Sequence, residues 1–330
     1  MSPSSEIRAC SACRSTALQV GREVFDDRYG DPDLFHLVTC KACGHVMTAP
    51  PLTEADLPEL YSTYYPRHEE SAAAIKRQAA KFGGPLGALM RWAMGTDNQG
   101  QYVARTGDTV LDVGCGSGLS LLEAKALGAR PFGIEADPNV APIASELGVT
   151  VHIGNIFDVP FPEQRFDLVA LNQVIEHVAD PERTLLAIRE RLAEGGRVVA
   201  AFPNHASLWR RVCGDRWLNW HIPFHLNHFN ARSFRILAER CGYRVVSRRT
   251  VTPNIWTLMQ LRVWRETPQR GLPSPTWSTA AAGSKNLPSR LLRKVRIALL
   301  LPLLFVVNRI IDMLGTGDSL MFQLERAGRP

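Results

Sequence analysis

The sequence contains no apolar run long enough to cross a bilayer. Its longest, Ile297 to Val307, carries Pro302, and a spanning helix takes about 18 apolar residues or more. The first residues lack the basic-then-apolar layout of a secretory signal. Both absences read as a cytoplasmic protein. No internal repeat is visible, which leaves no case for a repeat architecture. Charge is modest too: 21% of residues are charged and the formal net charge is +6. That balance permits an anionic partner without requiring nucleic acid. In a reducing compartment the seven cysteines are expected to be thiols or metal ligands rather than disulfides.

With 330 residues and 45% hydrophobic content, the chain can bury a sizeable core unaided. It divides into three parts. Residues 1–50 hold two CxxC pairs. Residues 51–100 read as a linker followed by an Ala-rich helical segment. Residues 101–330 alternate strand-like runs with helical patterns. The strands are expected at Thr109–Val113, Pro131–Glu135, Thr150–Ile153, Phe166–Leu171 and Arg197–Phe202, and the helices at Leu119–Leu127, Asn139–Leu147 and Pro181–Leu192. This alternation predicts an α/β fold: a Rossmann-like parallel sheet with helices on both faces. Lid insertions are expected at about 203–230 and 266–295. Asn230 is placed to cap a helix ended by Gly242. Residues 243–252 and Ser319–Arg326 read as closing strands.

The most informative segment runs from Thr109 to Gly118, TVLDVGCGSG. An apolar strand enters a glycine-rich turn and a helical pattern follows, the context that a nucleotide-binding turn requires. Gly114, Gly116 and Gly118 allow a tight turn and close approach to a ligand. A second apolar run ends at Glu135, where a carboxylate can accept both ribose hydroxyls. The turn lacks the third glycine of GxGxxG, and Asp112 stands before it, able to bond glycine-loop amides or a ligand ammonium. With GIEADP, GNIFDVPFPEQRFDLVALNQVIEHV and LAEGGRVVAAFPN in order, the chain from about residue 100 resembles the S-adenosylmethionine-dependent methyltransferases. The resemblance implies that Gly114 and Gly116, with Cys115 and Gly118 in the same turn, face the cofactor. Glu135 would bind its ribose, Ala136 and Ile156 would flank the adenine, and Asn155 would reach the adenine amino group. Asn172 would lie near the methionine carboxylate or the sulfonium.

Transferring a methyl group to a hydroxyl, an amine or a carbon calls for a base unless the acceptor is already deprotonated. Glu176 and His177, in NQVIEHV after the fourth strand, are the first candidates. There the sequence is close to ubiquinone-biosynthesis O-methyltransferases, although EHV also occurs with other substrates; the competing reading is structural packing. His221, His225 and His228 form a second cluster. Their spacing could share one helical face able to hold metal, but Pro223 argues against an unbroken helix. His225 and His228 are read as pocket histidines, one of them a candidate catalytic base. Trp209, Trp217 and Trp220 suit either an acceptor pocket or plain core.

Cys10-x-x-Cys13 and Cys40-x-x-Cys43 are two knuckles able to complete a four-thiolate zinc site, closed and therefore structural. Iron is the chemical alternative. This stretch, with the Pro-rich exit and tyrosine-rich segment after it, resembles ribbon-bearing methyltransferases of bacterial polysaccharide and natural-product pathways. That resemblance implies a small-molecule or sugar-linked acceptor. Taken together, the chain reads as a methyltransferase for a small-molecule or glycoconjugate, sugar- or lipid-linked acceptor, with O-methylation favoured and C- or N-methylation possible. The basic-then-apolar segment at about 290–314 suits either peripheral contact with the inner face of a membrane or packing against the sheet. Two other functions compete: an RNA methyltransferase gripping nucleic acid through the ribbon, and a non-catalytic cofactor-binding scaffold. Acidic residues between the knuckles oppose the first, making nucleic acid an unexpected partner. The intact glycine turn opposes the second.

Overall fold

The computed structural model describes residues 7–65, 71–81, 84–277 and 287–328. The N-terminal residues 1–6, the middle of the second expected insertion (278–286) and the side chains of the basic run Arg290 to Arg296 lie outside the described residues. The chain opens with three antiparallel strands, β1 (Leu18–Phe25), β2 (Leu34–Cys40) and β3 (Val46–Ala49). Helices α1 (Leu57–Thr63), α2 (Ala72–Lys81) and α3 (Gly84–Met94) follow. Ala72 and Ile75 of α2 are buried beside Leu147, which fastens this segment to the larger domain.

The alternating region forms β4 (Thr109–Val113), α4 (Leu119–Ala126), β5 (Arg130–Glu135), α5 (Val140–Leu147), β6 (Thr150–Ile153), β7 (Phe166–Asn172), α6 (Pro181–Arg191) and β8 (Leu192–Pro203). Then come α7 (Leu208–Cys213), β9 (Asn227–His228), α8 (Ala231–Arg240), β10 (Tyr243–Val251), α9 (Asn254–Val263), α10 (Leu287–Met313) and β11 (Ser319–Arg326). Seven strands make one sheet in the order β10-β11-β8-β7-β4-β5-β6. The pairs among β4 to β8 are parallel, and β11 runs antiparallel to both neighbours. The expected α/β sheet is present. β8 differs at its start: it begins at Leu192 instead of Arg197, with a register shift opposite Phe166 and Leu168.

Local sequence explains these elements. β7 buries nearly every side chain, as strands covered on both faces do. α6 starts where Asp180 accepts from Arg183 N and Pro181 needs no donor, and it buries Leu185 and Ile188. α8 starts at Asn230, whose side chain accepts from Arg232 N and Ser233 N. Between sheet and α8, Phe202, Phe229, Phe234 and Phe322 are fully buried, with the Phe202 and Phe234 rings 4.4 Å apart.

Two features position the site. The chain passes from β4 to β5 and β6 on one side, then returns to β7 on the other. The strand order therefore reverses between β4 and β7, and the crevice where ligands bind in such sheets is expected beyond their ends. Second, β3 pairs with β9, matching Val46 to His228 and Met47 to Asn227. The N-terminal sheet thus borrows its fourth strand from the first lid segment. Among the described residues no helix is long and apolar enough to cross a membrane. α3 and α10 nevertheless expose Leu86, Leu89, Leu303, Val306 and Ile310, and meet through Trp92 and Phe305.

Candidate active site

The turn after β4 places Gly114 and Gly116 at φ of 73° and 52°, conformations that favour glycine. A Cβ on Gly114 would lie 2.6 Å from Val174 Cγ2, whereas one on Gly116 would enter open space. Gly116 N donates to Glu135 Oε2 at 2.8 Å, and Asp137 N donates to Oε1 at 3.1 Å. The carboxylate is thereby held at the rim with lone pairs to spare. The loop amides turn to Glu135 and to the Ile134 carbonyl, not to Asp112 as one expectation had it. Asp112 is buried, and burial pushes its carboxyl up to about 7.

Asp112 instead accepts from Asn172 Nδ2 at 3.3 Å. Asn172 Oδ1 accepts from Gly100 N at 2.6 Å, and its Nδ2 also donates to Gln101 Oε1 at 3.1 Å. The segment entering the domain is latched across the crevice by this network. Gly100 and Gln101 carried no signal in the sequence, since a backbone amide acting through a distant Asn has no motif.

The turn after β7 begins with Gln173 at φ 58° and carries Val174 to His177 across the crevice. Glu176 is 1% exposed, and burial pushes its carboxyl up to about 8. His177 Nδ1 lies 2.9 Å from the Phe224 carbonyl and 2.8 Å from Tyr61 Oη. A carbonyl only accepts, so Nδ1 carries the proton and Nε2 the lone pair. Burial pushes the His177 ring down to about 4, so it is neutral near pH 7. His225 follows the same rule: its Nδ1 faces the Asn219 carbonyl at 2.9 Å. The His177 and His225 rings are 4.6 Å apart, and those of His221 and His225 4.8 Å.

The three lid histidines do not share a helical face. His221 is left-handed (φ 43°) and Pro223 follows it, so the backbone turns. His221 and His225 point towards His177, while His228 lies on β9, 3.3 Å from Thr48 Oγ1. An aromatic wall completes this half of the crevice. Tyr29, from the β1–β2 loop, meets Tyr65, His221 and Phe224, with centroids 5.3–5.6 Å apart. Arg28 beside it is buried and donates to the Leu218 carbonyl. Asp26 shapes that loop by accepting from Arg28 N, Tyr29 N and Asp31 N. Arg28 and Tyr29 were not expected at the site; only the fold brings them there.

Of the other expected cofactor residues, Ala136 is exposed at the end of β5 and Ile156 is buried. Asn155 spends its oxygen on Phe157 N, capping the short turn Ile156–Asp158. The Cys115 side chain packs inward, close enough that a Cβ on Gly133 would meet its sulfur at 2.5 Å. Only the Cys115 backbone can face a ligand. The donor set suits S-adenosylmethionine: a carboxylate for a ribose diol at Glu135, an apolar flank at Ile156, and open space over Gly116.

Cys10, Cys13, Cys40 and Cys43 converge, their sulfurs all within 4.8 Å of one another. The Cys10–Cys43 and Cys13–Cys40 pairs are 3.6 and 3.5 Å apart. A tetrahedral ion with bonds of about 2.3 Å would set sulfurs about 3.8 Å apart. The cluster is tied to the lid, because Asn230 Nδ2 donates to the Gly44 carbonyl at 2.9 Å and Ser11 Oγ donates to Asn227 Oδ1 at 3.0 Å.

A family model described as "Methyltransferase domain" matches residues 72–248. Ubiquinone biosynthesis O-methyltransferase of Cereibacter sphaeroides (strain ATCC 17025 / ATH 2.4.3) is 35% identical over 122 residues, which are 34% of this chain and 49% of that protein. Demethylmenaquinone methyltransferase of Symbiobacterium thermophilum is 34% identical over 116 residues, 30% of this chain and 45% of that protein. The chain spans about half the length of these curated relatives. Among solved structures, a SAM dependent methyltransferase from Archaeoglobus fulgidus aligns with a TM-score of 0.43 at 17% identity, covering 76% of this chain and 94% of that one. Since the family model spans more than half of the 330 residues and the sheet order and glycine turn accord with it, the chain belongs to the methyltransferase-domain family.

Proposed function

We propose that the protein transfers a methyl group from S-adenosylmethionine to a small-molecule or sugar- or lipid-linked acceptor, with oxygen as the favoured atom. One observation carries this reading: the crevice has two chemically distinct halves. Gly114 to Gly118, Glu135, Ile156 and Asn172 would hold the cofactor, which supplies an electrophilic methyl group when bound. Glu176, His177 and His225 face the other half together with Tyr29, Tyr61, Tyr65 and Phe224. Such transfer is an in-line displacement, so much of the protein's work is to align reactants and exclude water. His177 is pinned through Nδ1 and neutral, and its Nε2 lone pair can take the proton of an acceptor hydroxyl. The aromatic wall favours a flat or saccharide-like acceptor over a long polymer. The exposed apolar residues of α3 and α10 support a lipid-linked one. We further propose that the four cysteines hold a structural zinc ion.

The test is a transfer assay with methyl-labelled S-adenosylmethionine, offered nucleotide sugars, lipid-linked intermediates, phenols and RNA in parallel. Label is expected in a small molecule or glycolipid, with the rate of His177→Ala reduced by about a hundredfold or more, the usual scale of a general base. Label in RNA alone would overturn the acceptor assignment.

A further inference from the structure

Outside the four-cysteine cluster, one other group of side chains among the described residues can converge on an ion. Glu176 and His177, in the turn after β7, meet His225 from the lid, and one ligand atom from each lies within 4.8 Å of the others. Neither carboxylate oxygen of Glu176 has a hydrogen-bond partner among the described residues, although the side chain is 1% exposed. A buried carboxyl group whose oxygens have no partner is costly in either protonation state and calls for an explanation. The neighbours cannot supply one by donating. Nδ1 of His177 and of His225 each faces a backbone carbonyl, of Phe224 and Asn219, so each neutral ring offers a lone pair at Nε2. A ring held by a carbonyl behind it is the usual posture of a metal-binding histidine. His221 Nδ1 lies 3.3 Å from His225 Nε2, while His221 Nε2 is buried without a partner among the described residues. Because His225 Nε2 carries no proton, His221 Nδ1 donates to it, an interaction the ion would displace. His221 Nε2, His177 Nε2 and the Glu176 oxygens are left as acceptors.

We propose that Glu176, His177 and His225, with His221 as a further donor, bind a divalent transition-metal ion in the acceptor half of the crevice. Two or three imidazoles and one carboxylate suit zinc, manganese, iron or cobalt, and lack the thiolates that define the other cluster. Neighbouring ligands bonded at about 2.1 Å stand about 3.0–3.4 Å apart, so the side chains would close in by rotation to complete the site. The ligands come from one turn and one lid, leaving coordination positions open towards the crevice. An acceptor oxygen bound there would be oriented, and its deprotonated form favoured. This catalytic use rests on the methyl-transfer reading and would replace proton uptake by His177, whose Nε2 lone pair the ion would take; the ion's binding rests on neither.

The experiment is metal analysis of the full chain. The protein is loaded with Zn²⁺ or Co²⁺, desalted, and assayed for metal per chain by mass spectrometry. Two equivalents are expected for the unaltered protein and one for Glu176→Gln and for His225→Ala. In the cobalt form, the ion lost in Glu176→Gln should lack thiolate charge-transfer absorption. A single equivalent in the unaltered protein would overturn the proposal. So would two equivalents in a folded Glu176→Gln variant, or a lost ion with thiolate absorption. Glu176→Gln preserves shape, so the comparison stands even if His225→Ala fails to fold. Titration with S-adenosylmethionine separates the two claims: two metals without cofactor binding would sustain the ion and remove the methyl-transfer reading, and cofactor binding with one metal would do the reverse.

Discussion

Glu135 serves the turn and, in the proposed reading, the cofactor. Its oxygens already accept from Gly116 N and Asp137 N, so Glu135→Ala removes both the ligand contact and the brace. A hydrogen bond to a charged group contributes about 1.5–3 kcal/mol. Calorimetric titration should therefore show S-adenosylmethionine binding weakened about ten- to a hundredfold. Asp318 allows a second prediction at this scale, away from the crevice. It is buried and accepts from Ser207 Oγ, Trp217 Nε1 and Asn219 Nδ2, yet burial pushes its carboxyl up to about 6 from an ordinary 3.8. Between those values the folded chain keeps a proton that the unfolded chain has released. Its contribution is thus greatest below about pH 4 and is lost as pH rises to about 6. The loss is roughly 2–3 kcal/mol. Asp318→Asn should abolish that dependence, so urea midpoints of the two proteins should converge or cross between pH 4 and 6.5. Parallel curves would show that Asp318 ionises normally.

β9 is two residues long, but it joins the N-terminal sheet to the lid. Asn230 reinforces the joint, capping α8 with its oxygen and bonding the Cys43 and Gly44 carbonyls with its nitrogen. Asn230→Ala should cost about 1–2 kcal/mol for the cap alone, and more for the two carbonyls left behind. Urea denaturation measures it, and a loss below about 0.5 kcal/mol would mean the joint is slack. Removing the proposed zinc from the cysteine cluster, by chelator or by Cys40→Ser, should lower the unfolding temperature of the whole molecule in one transition. Two separated transitions in calorimetry would show instead that the ribbon melts alone.

At the scale of the molecule, the crevice is assembled from distant parts of the chain. Tyr29 comes from the N-terminal sheet, Tyr61 and Tyr65 from the segment at α1, Glu176 and His177 from the turn after β7, and His221 and His225 from the lid. The half proposed for the cofactor belongs almost wholly to the sheet. Tyr29→Leu should therefore leave S-adenosylmethionine affinity within about twofold while lowering acceptor kcat/KM by about tenfold or more. A tenfold change corresponds to 1.4 kcal/mol, within reach of an aromatic contact removed from a packed wall. Equal losses on both sides would place Tyr29 in the scaffold rather than the acceptor pocket.

The sheet was legible in the sequence because its causes are local. Thr109–Val113 and Phe166–Asn172 are apolar runs bounded by turns, and a period of two or an unbroken run needs no knowledge of partners. The same holds for the glycine turn, for the Asn230 cap, and for the four cysteines, whose spacing is itself the signal. What only the tertiary structure decided involves groups distant in sequence. Glu135, not Asp112, takes the Gly116 amide, because the end of β5 lies beside the turn. His221 joins His177 and His225 while His228 turns to Thr48, because Pro223 and β9 redirect a chain whose spacing alone allowed a common helical face. Arg28 and Tyr29 reach the crevice only because β3 pairs with a strand from the lid. Sequence periodicity reports which side of an element is buried. It does not report against what, and for this protein that second question sets the half of the site proposed for the acceptor.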